Sequence, residues 1–176
     1  MGEFAKFAVH PARLTEDELM DQCDFNSGRR SGPGGQHRNK VETSVRLRHR
    51  PSGVTAEASE RRNQGENRKE AVFRLRVNLA LEVRANVGED FHLAPEWNGR
   101  VKAMRILINP THSHFPVLLA DTLDLLDACG YDIPTVAERL GCTATQVVKL
   151  LCKEPRAFAK VNAERGKLGL RKLESR

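Results

Sequence analysis

The stretch SVRLRHRPSGVTAEA, residues 44–58, contains two short alternating runs separated by a turn signal. In the first run, apolar residues alternate with Arg46 and Arg48, which predicts a half-buried strand with a basic outer face. The sequence RPSG favours a turn, because proline and glycine suit the dihedral angles that turns require. Alternation resumes over residues 54–58. The stretch therefore predicts a β-hairpin with one buried face.

Elements on both sides of this hairpin complete a small mixed unit. Apolar residues recur at near-helical spacing between about residues 64 and 84, so we expect a long amphipathic helix whose apolar stripe lies on the hairpin. The stripe consists of Ala71, Val72, Leu75, Leu79 and Val83. Upstream, Thr15 and Glu18 have the spacing of a capping box, and residues 23–29 fit a short strand. This order of elements predicts an α+β domain at about residues 12–87.

The sequence changes character at residues 86–98, which contain glycine, proline and several acids and mark a boundary. Beyond it we expect an all-α domain at about residues 95–176. Residues 100–108 fit either a helix or a strand, and we favour a helix. Residues 116–129 are strongly amphipathic and stop at Gly130, and we expect their aspartates to lie on the solvent side. These aspartates are Asp121, Asp124 and Asp127.

A helix-turn-helix outline follows at residues 133–151. Thr143 is the expected N-cap of its second helix, with Gln146 three residues further on. A DNA reader should present basic or amide side chains on that helix, and only Gln146 and Lys149 qualify. A small helical bundle that packs on the first domain, or docks on RNA, is therefore favoured over a DNA reader.

The sequence gives no indication of a metal site. His112 and His114 stand two residues apart without further ligands, and we interpret them as residues that precede a helix. The four cysteines have no paired spacing and are expected to be buried free thiols in a reducing cytosol. No apolar run approaches the length of a membrane span, and the N-terminal region does not read as a secretory signal. We therefore expect a cytoplasmic protein that acts away from membranes.

Charge is unevenly distributed along the chain. The formal net charge is +6, but residues 28–76 carry thirteen basic and five acidic residues, a net charge of +8. Such a field favours a polyanionic partner. The same segment contains SGPGGQHRNK, residues 31–40, in which glycines without a Cβ allow a backbone to approach a partner closely. This loop does not match the glycine motifs that bind nucleotides.

The ordered pattern SGPGGQHRNKVETSVRLRHRPSGVTAEASERRNQGENRKEAVFRL resembles the catalytic domain of class I peptide chain release factors, over roughly residues 15–86. The resemblance implies a peptidyl-tRNA hydrolase that binds the ribosome and inserts this loop into the peptidyl transferase centre of the large subunit. It assigns the catalytic loop to Gly34, Gly35 and Gln36, with the Gln36 N–H facing the developing oxyanion. It also implies N5-methylation of Gln36, and hence a glutamine methyltransferase as a partner. No cofactor is implied.

Basic residues around this loop are expected to contact phosphates of ribosomal RNA, which position a protein without reading sequence. Arginine outnumbers lysine between residues 28 and 76, which favours bidentate phosphate contacts. The expected RNA-binding residues are Arg29, Arg30, His37, Arg38, Lys40, Arg46, Arg48, Arg61, Arg62 and Arg68.

A full release factor also carries domains that read the stop codon, whereas only residues 87–176 follow the segment that resembles one. We therefore expect codon-independent hydrolysis of peptidyl-tRNA on stalled ribosomes, by a protein that is monomeric off the ribosome. One alternative is a ribosome- or RNA-binding factor without catalysis, and another is a DNA-binding regulator that uses residues 133–151. For the basic segment 153–176, three placements stay open: the mRNA channel, other RNA, or the protein's own surface.

Overall fold

The computed structural model describes residues 5–28, 43–88 and 91–175. A mixed unit of strands and helices is followed by several helices, which confirms the expected α+β class. The strands are β1 (Ala5–Phe7), β2 (Cys23–Gly28), β3 (Ser44–His49), β4 (Thr55–Ala58), β5 (Val83–Ala85), β6 (Val101–Lys102) and β7 (Arg105–Ile106). The α-helices are α1 (Glu16–Asp21), α2 (Gln64–Glu82), α3 (Phe115–Ala128), α4 (Ile133–Arg139), α5 (Ala144–Cys152) and α6 (Pro155–Lys167). Two 3₁₀ turns lie at Pro11–Arg13 and Pro95–Trp97.

Strands β2, β3 and β4 form an antiparallel sheet with β3 in the centre, so the predicted hairpin is confirmed. Val45 and Leu47 are fully buried on its inner face, as the alternation predicts. The turn between β3 and β4 uses Gly53 at a φ of 73°, a backbone conformation that glycine adopts without steric cost. Its N–H donates to the carbonyl of His49 at 2.7 Å.

Helix α2 packs on the inner face of the sheet, as predicted. Ala71, Leu75 and Leu79 are fully buried at a spacing of four residues, which places them on one side of the helix. Val83 does not belong to the helix but to β5, which pairs in parallel with β1. The β1–β5 pair was not expected from the sequence.

Helix α3 lies inside the protein, which corrects the expectation for its aspartates. Asp121 and Asp124 are buried and Asp127 is half-buried. The reason is that α2, β5 and both 3₁₀ turns cover one part of α3, while α4 and α5 cover another. The two buried aspartates face the protein's own N–H groups instead of water. The end of the helix is as expected, with Gly130 at a φ of 59° just past it.

A buried polar cluster joins α3 to β5 and to His10, which precedes the first 3₁₀ turn. Asp124 Oδ1 accepts a hydrogen bond from the Ala85 N–H at 3.0 Å, and His10 Nε2 lies 4.0 Å from the same oxygen. Burial is the main cause that raises the pKa of Asp124 to about 7. The hydrogen bond from Ala85 and the charge of Arg84 act in the opposite direction. Burial, helped by Arg84, lowers the pKa of His10 to about 3. At pH 7 His10 is therefore neutral, and Asp124 holds its proton more readily than an exposed aspartate.

The expectation of a helix at residues 100–108 is wrong. This segment folds into the hairpin of β6 and β7, in which Val101 pairs with Ile106. Ala103 and Met104 form its two-residue turn at φ values of 46° and 58°. The Thr143 N–H donates to the Met104 carbonyl at 3.2 Å, so contact with the start of α5 stabilises a turn that the sequence does not signal.

Helices α4 and α5 confirm the helix-turn-helix outline, and Thr143 caps α5 by accepting from the Gln146 N–H at 3.3 Å. The side chain of Gln146, however, accepts from the Ile106 N–H at 3.2 Å. One of the two side chains suited to reading bases is thus occupied within the protein, which further disfavours the DNA-binding alternative.

The basic C-terminal segment forms α6 and then turns back on it. The Leu173 N–H donates to Asn162 Oδ1 at 2.7 Å, and Asn162 Nδ2 donates to the Leu173 carbonyl at 3.2 Å. The sequence left three placements open for this C-terminal segment, and its described residues dock on the protein itself. Within these residues no helix combines the length and apolarity needed to cross a membrane. All four cysteines are free thiols, with Cys23 and Cys142 buried.

Candidate functional site

The segment that carries the glycine-rich loop leaves and rejoins the sheet at one end. Gly28, the last residue of β2, pairs with Ser44, the first residue of β3, and Ser44 Oγ donates to the Gly28 carbonyl at 2.6 Å. A Cβ at Gly28 would lie 3.3 Å from Ser44 Oγ, so this closure is tight. The expected catalytic and loop-flanking residues lie between these two strands and outside the described residues. They are Arg29, Arg30, Gly34, Gly35, Gln36, His37, Arg38 and Lys40.

Asn67 fastens the base of this segment to the start of α2. Its Nδ2 donates to the carbonyls of Thr43 at 2.7 Å and of Arg61 at 2.9 Å. Its Oδ1 accepts from the Arg61 N–H at 2.9 Å. The side chain is fully buried, and both amide hydrogens and the carbonyl oxygen are used. Asn67 therefore joins the turn before α2 to the first described residue after the loop.

Asn67 is part of the release-factor sequence pattern, but no role was predicted for it. A signal for it does exist. Asn67 stands four residues before Ala71 in the same row as Leu75 and Leu79, so an amide lies in line with the apolar stripe. A polar residue at a core position must find hydrogen-bond partners, and here they are backbone groups of two loops.

Arg46 and Arg48 lie on the outer face of the sheet with exposed side chains, as expected. Their cross-strand neighbours are Asn26 and Asp24 on β2 and, for Arg46, Glu57 on β4. Two arginines and two carboxylates thus share this face. A shallow cleft over it is lined by Asp24, Asn26, Arg46, Arg48 and Thr55. Four of the thirteen basic residues of segment 28–76 flank the catalytic residues of the loop sequence, and two lie in the turn before α2.

Arg61 and Arg62 form that turn, and their side chains are exposed. Because Asn67 binds the backbone of Arg61, this turn has a fixed position beside the base of the loop. Arg68, in the first turns of α2, is half exposed, and its Nε lies 3.9 Å from a carboxylate oxygen of Glu16. Its charge is therefore partly balanced within the protein. The structure brings Arg61 and Arg62 near the loop base and leaves Arg46 and Arg48 on the sheet face.

Side chains of α2 cover the β4 edge of the sheet. Arg74 donates to the Glu57 carbonyl at 2.9 Å, and Asn78 donates to the Thr55 carbonyl at 2.9 Å. Arg74 also contacts Glu60, at 2.9 Å, and this hydrogen bond is the main cause that lowers the pKa of Glu60 to about 2. Such pairing leaves the edge strand less open to other chains. Sequence reasoning did not identify this role.

Comparison with known proteins agrees with the release-factor resemblance. Residues 17–93 match the RF-1 domain family. The chain is 39% identical over 83 residues to peptide chain release factor 1 of Xylella fastidiosa (strain 9a5c), which covers 47% of this chain and 20% of that protein. It is 46% identical over 80 residues to peptide chain release factor 1 of Acidiphilium cryptum (strain JF-5), covering 44% and 23%.

The match to these relatives thus spans between a fifth and a quarter of their length. The matched family segment includes the glycine-rich loop, the sheet, α2 and the Asn67 connection. Helices α3 to α6 lie outside it. Residues 17–93 of this chain therefore match the RF-1 domain, and over this part the chain is similar to class I peptide chain release factors.

Proposed function

We propose that this protein hydrolyses the ester bond of peptidyl-tRNA on the ribosome and that it does so without a stop codon. The observation that carries the proposal is the RF-1 domain match, which contains Gly34, Gly35 and Gln36. The anchored loop base supports it. The strand pair at Gly28 and Ser44 and the Asn67 hydrogen bonds hold the two points from which the loop sequence continues.

In the proposed reaction, water attacks the ester carbonyl that joins the peptide to the tRNA. The carbonyl oxygen becomes an oxyanion, the ester C–O bond breaks, and the products are a peptide with a free carboxyl group and a tRNA with a free hydroxyl. The backbone N–H of Gln36 donates to the oxyanion, a contribution of about 3 kcal/mol for one such donor. Gly34 and Gly35 allow this backbone to enter a crowded RNA pocket because they have no Cβ.

The proposed RNA contacts fall into two groups. Arg29, Arg30, His37, Arg38 and Lys40 flank the catalytic residues in the sequence. Arg46, Arg48, Arg61, Arg62 and Arg68 lie on the sheet face, the turn and α2, all with solvent-accessible side chains. We assign the largest share to Arg61 and Arg62, because carboxylates neighbour the other three.

The helices that follow the matched segment pack on the RF-1 domain. Helix α3 packs on α2 and β5, and Lys160 of α6 donates to Glu82 at 2.8 Å. The described helices after residue 93 thus form one packed group with the RF-1 domain. A cytoplasmic location follows from the ribosomal substrate.

The test is peptide release from purified ribosomes stalled without a stop codon in the decoding site. Native protein is compared with Gln36→Ala and Gly35→Ala, and binding of each is measured by co-sedimentation. We expect all three proteins to bind the ribosome equally and only the native protein to release peptide. Equal release by all three would remove the assigned role of the loop, and binding without release by the native protein would support a non-catalytic factor. Mass spectrometry of Gln36 from the natural source tests the proposed N5-methylation separately.

A further inference from the structure

Arg100, His112 and His114 converge outside the RF-1 domain. Arg100 lies in the turn that leads into β6, and the two histidines precede α3. One guanidinium nitrogen of Arg100, Nη2, lies 3.1 Å from His112 Nε2 and 3.1 Å from His114 Nδ1. The two imidazole rings meet edge to face with centroids 4.7 Å apart. All three side chains are half-buried and so remain open to solvent on one side.

The hydrogen bonds of His112 cannot all be made at once. Its Nδ1 accepts from the His114 N–H at 3.0 Å, while its Nε2 faces the Arg100 donor. A neutral imidazole has one N–H donor and one acceptor nitrogen, so the two ring nitrogens cannot both accept. With Nδ1 as the acceptor, Nε2–H and the Arg100 N–H become two neighbouring donors. An anion that binds beside them can accept from both.

The surroundings of this cluster are positive. From Trp97 to Ala120 the sequence has no aspartate or glutamate, whereas it contains Arg100, Lys102 and Arg105. Among the described residues, Arg100 forms no ion pair with a carboxylate. His114 is also the N-cap residue of α3, and no side chain caps that helix end. The backbone N–H groups of His114, Phe115 and Val117 are bonded within the protein, so this helix end contributes the positive end of its dipole but no free donor.

We propose that Arg100, His112 and His114 bind a phosphate group, supplied by the backbone of an RNA strand. A guanidinium and imidazole donors at a positive helix end suit phosphate, and exposed Lys102 and Arg105 on the adjacent hairpin can contact the next phosphates along a strand. The site lies outside the matched RF-1 domain and does not depend on the glycine-rich loop or on catalysis.

The direct test is an NMR titration of the histidine rings in the native protein. Burial, with the charges of Arg100 and His114, lowers the pKa of His112, and a bound phosphate raises it. Inorganic phosphate is compared with chloride at equal ionic strength, and a short single-stranded RNA is added in a second arm. We expect the His112 pKa to rise and the His114 ring signals to shift, while those of His49 stay unchanged.

Variants supply a second, independent measurement. Arg100→Gln removes the charge, and His112→Asn keeps an acceptor for the His114 N–H while removing Nε2. For RNA binding by the full chain, we expect each variant to weaken binding several-fold and Arg100→Gln to lower the salt slope by about 1. Arg171→Gln, at an exposed position in the C-terminal segment, is the control for loss of charge.

The outcomes separate the sources of the phosphate. A larger response to RNA than to inorganic phosphate supports a polynucleotide site, and a response to inorganic phosphate alone supports a phosphate site but overturns the RNA assignment. If neither anion changes the His112 pKa or the His114 signals beyond the effect of chloride, the site does not exist. These results leave peptide release by Gln36 variants untouched, so this inference and the proposed function fail separately.

Discussion

The substitution Asn67→Ala tests whether the loop base is held as described. It removes a fully buried amide and leaves the Thr43 carbonyl and both backbone groups of Arg61 without this partner. A buried polar group that loses its partner costs about 1–3 kcal/mol. Water can reach the turn at Arg61 and replace part of the lost hydrogen bonding, so we expect the free energy of unfolding to fall by roughly 3 kcal/mol.

The assay is urea denaturation at pH 7 followed by circular dichroism, with Asn78→Ala as the matched control. Asn78 also donates to a backbone carbonyl, that of Thr55, and accepts from Arg156, but these bonds lie near the surface, so their loss should cost about 1 kcal/mol. Asn67→Asp keeps an acceptor for the Arg61 N–H but sets a carboxylate oxygen against two carbonyls, and it should destabilise at least as much as Asn67→Ala.

The same substitution connects stability to the proposed function. Under conditions in which Asn67→Ala stays folded, its peptide release should fall by roughly tenfold or more, because small displacements of a catalytic group cost large factors in rate. Asn78→Ala should release at the native rate. An Asn67→Ala protein as stable and as active as Asn78→Ala would refute the reasoning about the loop base.

Three further predictions concern the core and the backbone. For Asp124, the folded pKa of about 7 lies above the unfolded value of about 4, so the contribution of this residue to stability falls as pH rises from 4 to 7. Asp124→Asn should therefore gain a few kcal/mol relative to the native protein over that range, measured by urea denaturation at each pH. Leu75→Ala should cost about 2–5 kcal/mol in the same assay, whereas a cost below about 1 kcal/mol would contradict its place in the core. Gly130→Ala, at a φ of 59°, should lower the melting temperature, while Gly166→Ala, in α6 with open space around it, should leave it unchanged or raise it.

The sequence was informative where local periodicity decides the structure. Alternation at Val45 and Leu47 and four-residue spacing at Ala71, Leu75 and Leu79 predicted the hairpin and the helix on it, because one face of each is solvated. The glycine-rich loop was found by its pattern.

Features that depend on distant contacts were missed. Asp121 and Asp124 look like solvent-facing residues of an amphipathic helix, but long-range packing covers both sides of α3. The turn at Ala103 and Met104 carries no glycine, and only its contact with α5 explains it. Strands β1 and β5 pair although most of the RF-1 domain lies between them in the sequence. Local sequence patterns do not predict contacts over such a separation.

The most direct test of the central claim is release from stalled ribosomes in ¹⁸O-labelled water. We predict that native protein liberates peptide carrying one labelled oxygen in its new C-terminal carboxyl group, and that ribosome-bound Gly35→Ala liberates none. Labelled peptide formed equally well by Gly35→Ala, or no labelled peptide formed by ribosome-bound native protein, would contradict it.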